Sequence, residues 1–181
     1  MQITNLRCEY LRNPLGIDVA QPRLSWQLES DRRGARQTAY QVIVESESKA
    51  IWDSRRVESD QSAHVVYRGE PLRSGQRATW RVRVWDEAGA LAESESAWWE
   101  MGLLDKSDWV GQWIGSSLVG GPEVASPCPF LRETFALDQP VASARLYVTA
   151  LGLYEFYLNG QRVSDHVFEP GWTHYAKRVQ Y

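Results

Sequence analysis

Residues Ala144–Ala150 alternate strictly, with Ala144, Leu146, Val148 and Ala150 on one side and Arg145, Tyr147 and Thr149 on the other. A period of two places apolar groups on one face of an extended strand, and a helix cannot use it. A second run follows, with Tyr154, Phe156 and Leu158 opposed to Leu153, Glu155 and Tyr157. It stops at Asn159-Gly160, the dipeptide best suited to the two positive φ angles of a type I′ hairpin turn. Gln161-Arg162-Val163 then starts a return strand. The stretch therefore predicts a β-meander, the opening of a sandwich or jelly roll.

The same period recurs upstream. Leu24, Trp26 and Leu28 alternate after Pro22, and the turn Asp31-Arg32-Arg33-Gly34 ends that strand. Tyr40, Val42 and Val44 share a face, as do Trp80, Val82 and Val84, with Arg81, Arg83 and Trp85 opposed to the latter. Shorter candidates are Ile51–Ser54, Ala63–Tyr67 and Ala97–Met101. About seven short strands with turn signals between them predict a sandwich. The adjacent pair Trp98-Trp99 must point one indole inward and one outward. Leu103–Asp108 reads as a polar connector, followed by Trp109-Val110-Gly111-Gln112-Trp113-Ile114-Gly115. Two indoles four residues apart around a glycine suit either an anchor for the connector or a sugar-stacking platform. Ser116–Pro129, rich in Gly, Ser and Pro, reads as a loop, and Phe130–Phe135 restarts the β pattern. The predicted division is a sandwich over 1–103, a Trp-rich connector over 104–115 and an incomplete second sandwich over 116–181.

Composition excludes several functions. A net charge of -3 without a local basic cluster gives no electrostatic case for nucleic acid. No run approaches a membrane span, and the N-terminal residues MQITNLRCEYLRNPLGID contain no apolar signal core. No membrane partner and cytoplasmic residence are the default expectations, and secretion stays open. Cys8 and Cys128 are the only cysteines and read as free thiols, with no spacing for zinc. No Walker loop, dinucleotide fingerprint or Gly-x-Ser-x-Gly elbow is present, so no cofactor is expected. No dense Asp/Asn loop nominates calcium, and His64, His166 and His174 have no spacing that completes a metal set.

Two resemblances follow from these motifs. Trp26 after a proline, Tyr40-x-Val42-x-Val44 and Trp80-x-Val82-x-Val84 before a charged turn resemble a fibronectin type III domain. Gly152-Leu153-Tyr154-Glu155, Leu158-Asn159-Gly160, Pro170-Gly171-Trp172-Thr173 and Arg178-Val179-Gln180-Tyr181 resemble the N-terminal β-sandwich of bacterial α-L-rhamnosidases. Asp108-Trp109-x-Gly111-x-Trp113-Ile114 is similar to the same family. The fold class implied is all-β: a fibronectin type III-like sandwich, then a partial jelly-roll or galactose-binding-like sandwich. The resemblance implies inverting hydrolysis of terminal α-L-rhamnose by acid and base groups carried on a helical barrel that this sequence lacks. The expected reading is a non-catalytic fragment whose partner is that barrel. A rhamnose-containing glycan, and self-association through the unfinished sheet, are further expected partners. The alternative is a stand-alone carbohydrate-binding or protein-interaction module.

No catalytic assignment follows from the carboxylates. Inversion needs two of them about 6.5–9.5 Å apart across a sugar. Asp86 and Glu87 flank a turn, Asp105 and Asp108 lie in the connector, and Glu155 is on a strand beside Tyr154 and Tyr157. The carbohydrate-binding candidates are Trp172, Asn159, Glu155 and His174. Trp172, in a Pro-Gly turn, reads either as a sugar-stacking indole or as a packing group. Glu155 reads either as half of an ion pair or as a hydrogen-bond acceptor for a sugar hydroxyl.

Overall fold

The alternations at Tyr40–Val44 and Trp80–Val84 lie side by side at the centre of a five-stranded antiparallel sheet. In the computed structural model, which describes residues 1–118, 120–125 and 127–181, the chain divides into Met1–Ile114 and Gly115–Tyr181. The first unit runs β1 (Gln2–Cys8), β2 (Arg23–Glu29), β3 (Gln37–Ser46), β4 (Lys49–Asp53), β5 (Val65–Val66), β6 (Arg77–Asp86), β7 (Leu91–Glu93) and β8 (Ala97–Glu100). One sheet has the order β1-β2-β5, and the other β4-β3-β6-β7, with β8 also on β6.

Both alternations point inward as the sequence predicts. Val42, Val44, Val82 and Val84 are wholly buried, packed with Leu24, Trp26, Trp80 and Trp99 from both sheets. The core is thus an inter-sheet layer, to which β6 contributes every second residue. Of the Trp98-Trp99 pair, Trp99 points in, and Arg77 lies over the outward Trp98 ring at 4.0 Å. Two strands escape the sequence reading. β1 is interrupted by a register shift between Thr4 and Arg7, and β7 carries an exposed Leu91. β7 and β8 pair with different halves of β6. Between them Ser94 replaces the ladder, its N–H donating to Val82 O at 2.9 Å and its Oγ accepting from Val82 N–H at 3.0 Å.

A buried polar knot fixes the angle of Trp26. Its indole Nε1 donates to Gln37 Oε1 at 3.0 Å, and Gln37 Nε2 donates to the carbonyls of Ser59 and Gln61. On the solvent face of the larger sheet, Glu45, Arg81, Glu93 and Arg83 form a chain of ion pairs.

In the second unit, β9 (Tyr157–Leu158) and β10 (Gln161–Arg162) form the predicted hairpin, with φ of 50° at Asn159 and 78° at Gly160. Gly160 meets that angle without steric cost. The remaining strands predicted here differ from the structure: Phe130–Phe135 and Ala144–Ala150 are outside any strand, and the second run is strand only at its end. A strand exists only when a neighbour's backbone completes its ladder. Among the described residues no strand pairs with these segments; Phe130, Leu131, Phe135 and Leu146 stay exposed, Phe130 wholly so, while Val148 and Ala150 are half-buried. The predicted loop Ser116–Pro129 includes Val119 and Ser126, which lie outside the described residues.

Candidate functional site

The hairpin of the second unit organises the sequence-predicted residues. Its register sets Arg162 opposite Tyr157. Arg162 Nη2 lies 3.3 Å from Glu155 Oε1, and the Tyr157 hydroxyl donates to Glu155 Oε2 at 2.8 Å. That hydrogen bond, and then the carboxylate's charge, raise the Tyr157 phenol above its ordinary value. Arg162 also donates to the His166 carbonyl at 2.8 Å, tying the ribbon to the next turn. Asn159 occupies the exposed tip of the ribbon.

Trp172 is 80% exposed, its ring tilted 36° against Tyr175 at a centroid distance of 5.9 Å. The His174 carbonyl accepts from the amides of Lys177 and Arg178, so its backbone closes a turn while the residue itself is exposed. Among the described residues no hydrogen bond or ion pair joins Glu155 or Asn159 to Trp172 or His174. The four candidates form two separate groups, one on the ribbon and one on the Pro-Gly turn.

Sequence reasoning missed a third group. A hollow of about 570 Å³ is lined by residues that include Tyr154, Asp165, His166, Phe168, Glu169 and Tyr181, and by none of the four candidates. His166 Nδ1 is 3.2 Å from Glu169 Oε1, and Nε2 is 3.9 Å from Asp165 Oδ1. The Tyr154 amide donates to Glu169 O at 2.9 Å. Burial, and then Glu169, raise the Tyr154 phenol. The spacing His166-x-x-Glu169 carries the signal, legible only once a turn brings the two together. Among the described residues no group of three or more His, Cys, Asp or Glu could hold a metal, and no helix is long and apolar enough to cross a membrane.

Several carboxylates of the first unit are engaged in ion pairs. Glu9 chelates Arg23, Arg32 bridges Asp86 and Glu87, and Glu100 pairs with Arg77. A glycosidase acid needs a carboxyl raised above its ordinary range. Glu9, Asp53, Asp86, Glu87 and Asp105 all move the other way. Side-chain hydrogen bonds from Arg23 lower Glu9, the Ala90 and Ala88 amides lower Asp86, the Arg36 amide lowers Glu87, and Ser107 lowers Asp105. At Asp53 burial pushes upward and is outweighed by bonds from Gln41 and Arg55. These five groups are thus stabilised as carboxylates by their partners.

Comparison with known proteins adds the following. Residues 3–105 match the family model described as Rha78A-like, N-terminal immunoglobulin domain, and residues 139–181 match the alpha-L-rhamnosidase N-terminal domain. An alpha-L-rhamnosidase from Alteromonas sp. (strain LOR) is 38% identical over 182 residues, covering 93% of this chain and 20% of the relative. The solved alpha-L-rhamnosidase from Dictyoglumus thermophilum superposes with a TM-score of 0.85 at 32% identity, over 99% of this chain and 22% of that one. The Streptomyces avermitilis alpha-L-rhamnosidase, solved in complex with L-rhamnose, gives 0.63 at 43% identity over 67% of this chain and 12% of that one. The chain thus spans about a fifth of the length of the curated relatives it matches.

Proposed function

The chain belongs to the family of Rha78A-like N-terminal immunoglobulin domains, and from that premise we propose that it is a non-catalytic scaffold for the catalytic barrel of an α-L-rhamnosidase. It is an α-L-rhamnosidase N-terminal portion, since both N-terminal family models fall on it in order. The parent enzyme would hydrolyse terminal α-L-rhamnose with inversion. The observation that carries the scaffold reading is the state of five carboxylates: Glu9, Asp53, Asp86, Glu87 and Asp105 are held below their ordinary range by hydrogen bonds from side chains and backbone amides. Such groups position strands and turns, and they leave proton transfer to a part of the enzyme outside this sequence.

The exposure of Trp172 favours a second reading, a carbohydrate-binding module, because an open indole face stacks on a sugar ring. One preparation separates the two. The purified chain is assayed for hydrolysis of a chromogenic α-L-rhamnoside and titrated with L-rhamnose. The scaffold reading expects neither turnover nor saturable binding. Binding without turnover selects the module, with loss of affinity in Trp172→Ala as its signature. Turnover that survives repurification overturns both.

A further inference from the structure

The sequence reads residues 104–115 as a connector, and a free tether would need no partners. Instead, a relay of hydrogen bonds runs from the core sheet to this segment. Ser46, buried on β3, donates to the Arg77 carbonyl at 2.7 Å and accepts from Gln76 Nε2 at 2.9 Å. Gln76 closes the turn before β6 twice: its amide donates to Arg73 O at 3.0 Å, and its Oε1 accepts from Arg73 N–H at 2.9 Å. That turn presents Ser74, whose Oγ accepts from the Leu104 amide at 2.8 Å and donates to the Asp108 carboxylate. Asp108 accepts in turn from the Asp105 amide at 3.2 Å, while Asp105 Oδ1 takes the amide and hydroxyl of Ser107. Residues 106–108 thereby form one 3-10 turn, capped reciprocally at Asp105 and Asp108.

We propose that Ser74 is a positioning residue that clasps residues 104–108 onto the first unit, so that the chain leaves this sandwich along a fixed path. The purpose assigned to the clasp rests on the scaffold reading; its geometry does not. A hydroxyl is the smallest group that can accept from Leu104 and donate to Asp108 at once, and alanine supplies neither function. The neighbouring Gly75 amide donates to the carbonyls of Met101 and Gly102, and Ser74 carries the contact on to Leu104 and Asp108. Beyond the clasp, Val110, Trp113 and Ile114 are largely exposed, so the fixed path ends at about Trp109.

The test is amide hydrogen exchange and residual dipolar couplings on the full 181-residue chain. In the unmodified protein the Leu104 and Asp105 amides are protected, and couplings for 103–108 fit the alignment tensor of the sheet amides. Ser74→Ala speeds exchange at both amides by about tenfold and takes 103–108 off that tensor, while Val82 and Val84 stay protected. Ser74→Thr restores the couplings. Asp108→Ala, a second route to the same loss, frees Asp105 while leaving the turn at 73–76 intact. Free-peptide exchange at Leu104 in the unmodified chain, or unchanged couplings in Ser74→Ala, would overturn the clasp. Neither readout requires a sugar or a barrel, so a failed scaffold reading and a failed clasp are distinguishable.

Discussion

Gly69 sits against both β4 and the Tyr67 side chain, and its replacement by alanine tests the packing account most directly. A Cβ built there lies 2.5 Å from Tyr67 Oη, 2.6 Å from Ile51 O and 2.6 Å from Trp52 Cβ. An ordinary contact needs about 3.5–4.0 Å, so roughly 1 Å of overlap must be relieved. Two of the three atoms are backbone or next to it and cannot rotate away. Tyr67 is 1% exposed, its ring edge-on to Trp52 and Trp99, and its hydroxyl donates to Glu70 O at 2.7 Å. The Glu70 amide donates to Ile51 O at 3.1 Å. Displacing residues 67–70 therefore loosens two hydrogen bonds, at about 1 kcal/mol each, on top of about 1–3 kcal/mol for overpacking. Reduced unfolded-state entropy returns about 0.4–1 kcal/mol.

The net expectation is a loss of about 2–4 kcal/mol, or about 8–16 °C in Tm for a unit of this size. Calorimetry together with urea unfolding followed by Trp fluorescence reads it. Tyr67→Phe alone should cost about 1 kcal/mol by deleting one hydrogen bond. In the double variant the missing Oη removes the shortest contact, so the combined loss should be smaller than the sum of the two. A Gly69→Ala protein melting within about 2 °C of the parent, against a scale of about 4 °C per kcal/mol, would refute the reasoning.

Three further outcomes follow from the same structure. Gln37→Ala leaves the Trp26 indole N–H and the Ser59 and Gln61 carbonyls without their partner, so urea unfolding should show a loss of about 2–4 kcal/mol. Burial, and then the charges of Glu9 and Glu70 respectively, push the Cys8 thiol and the Tyr67 phenol up to about 12, from ordinary values of 9.0 and 10.0. The folded state therefore holds these protons longer; the stability they contribute is complete below pH 9 and declines as pH rises toward 12, seen as falling urea midpoints. Trp172→Ala should change stability by less than about 0.5 kcal/mol, because its indole is mostly in water, and a larger loss by calorimetry would mean that it packs.

How far the fold can be read ahead of the structure depends on whether a residue's role is set by its own strand or by a neighbour. Val42, Val44, Val82 and Val84 announce themselves, because period two and burial are properties of one strand. Trp98 and Trp99 are legible only as an opposed pair; which one enters the core depends on the pairing of Ala78 with Trp99 and on Arg77, which covers the other ring. β1 hides because a bulge breaks its alternation, and Asn5 adopts a φ of 51° there. Ala144–Ala150 errs in the opposite direction, since perfect alternation does not make a strand without a partner ladder.

The candidate site follows the same division. The Asn159-Gly160 turn is written in two adjacent residues, and the structure reproduces its angles. The engagement of Glu155 by Arg162 needs the hairpin register, seven positions along the chain. The His166–Glu169 contact needs the turn that carries it, and so it is missed. The connector is the sharpest case. Its polar sequence reads as a tether because Ser74, the group that orders it, lies thirty residues upstream of Leu104 and has no pattern of its own. Periodicity reports burial, but it carries no information about a single hydroxyl placed between an amide and a carboxylate. The direction in which this chain leaves its first sandwich is therefore set by a residue that a sequence reading has no reason to select.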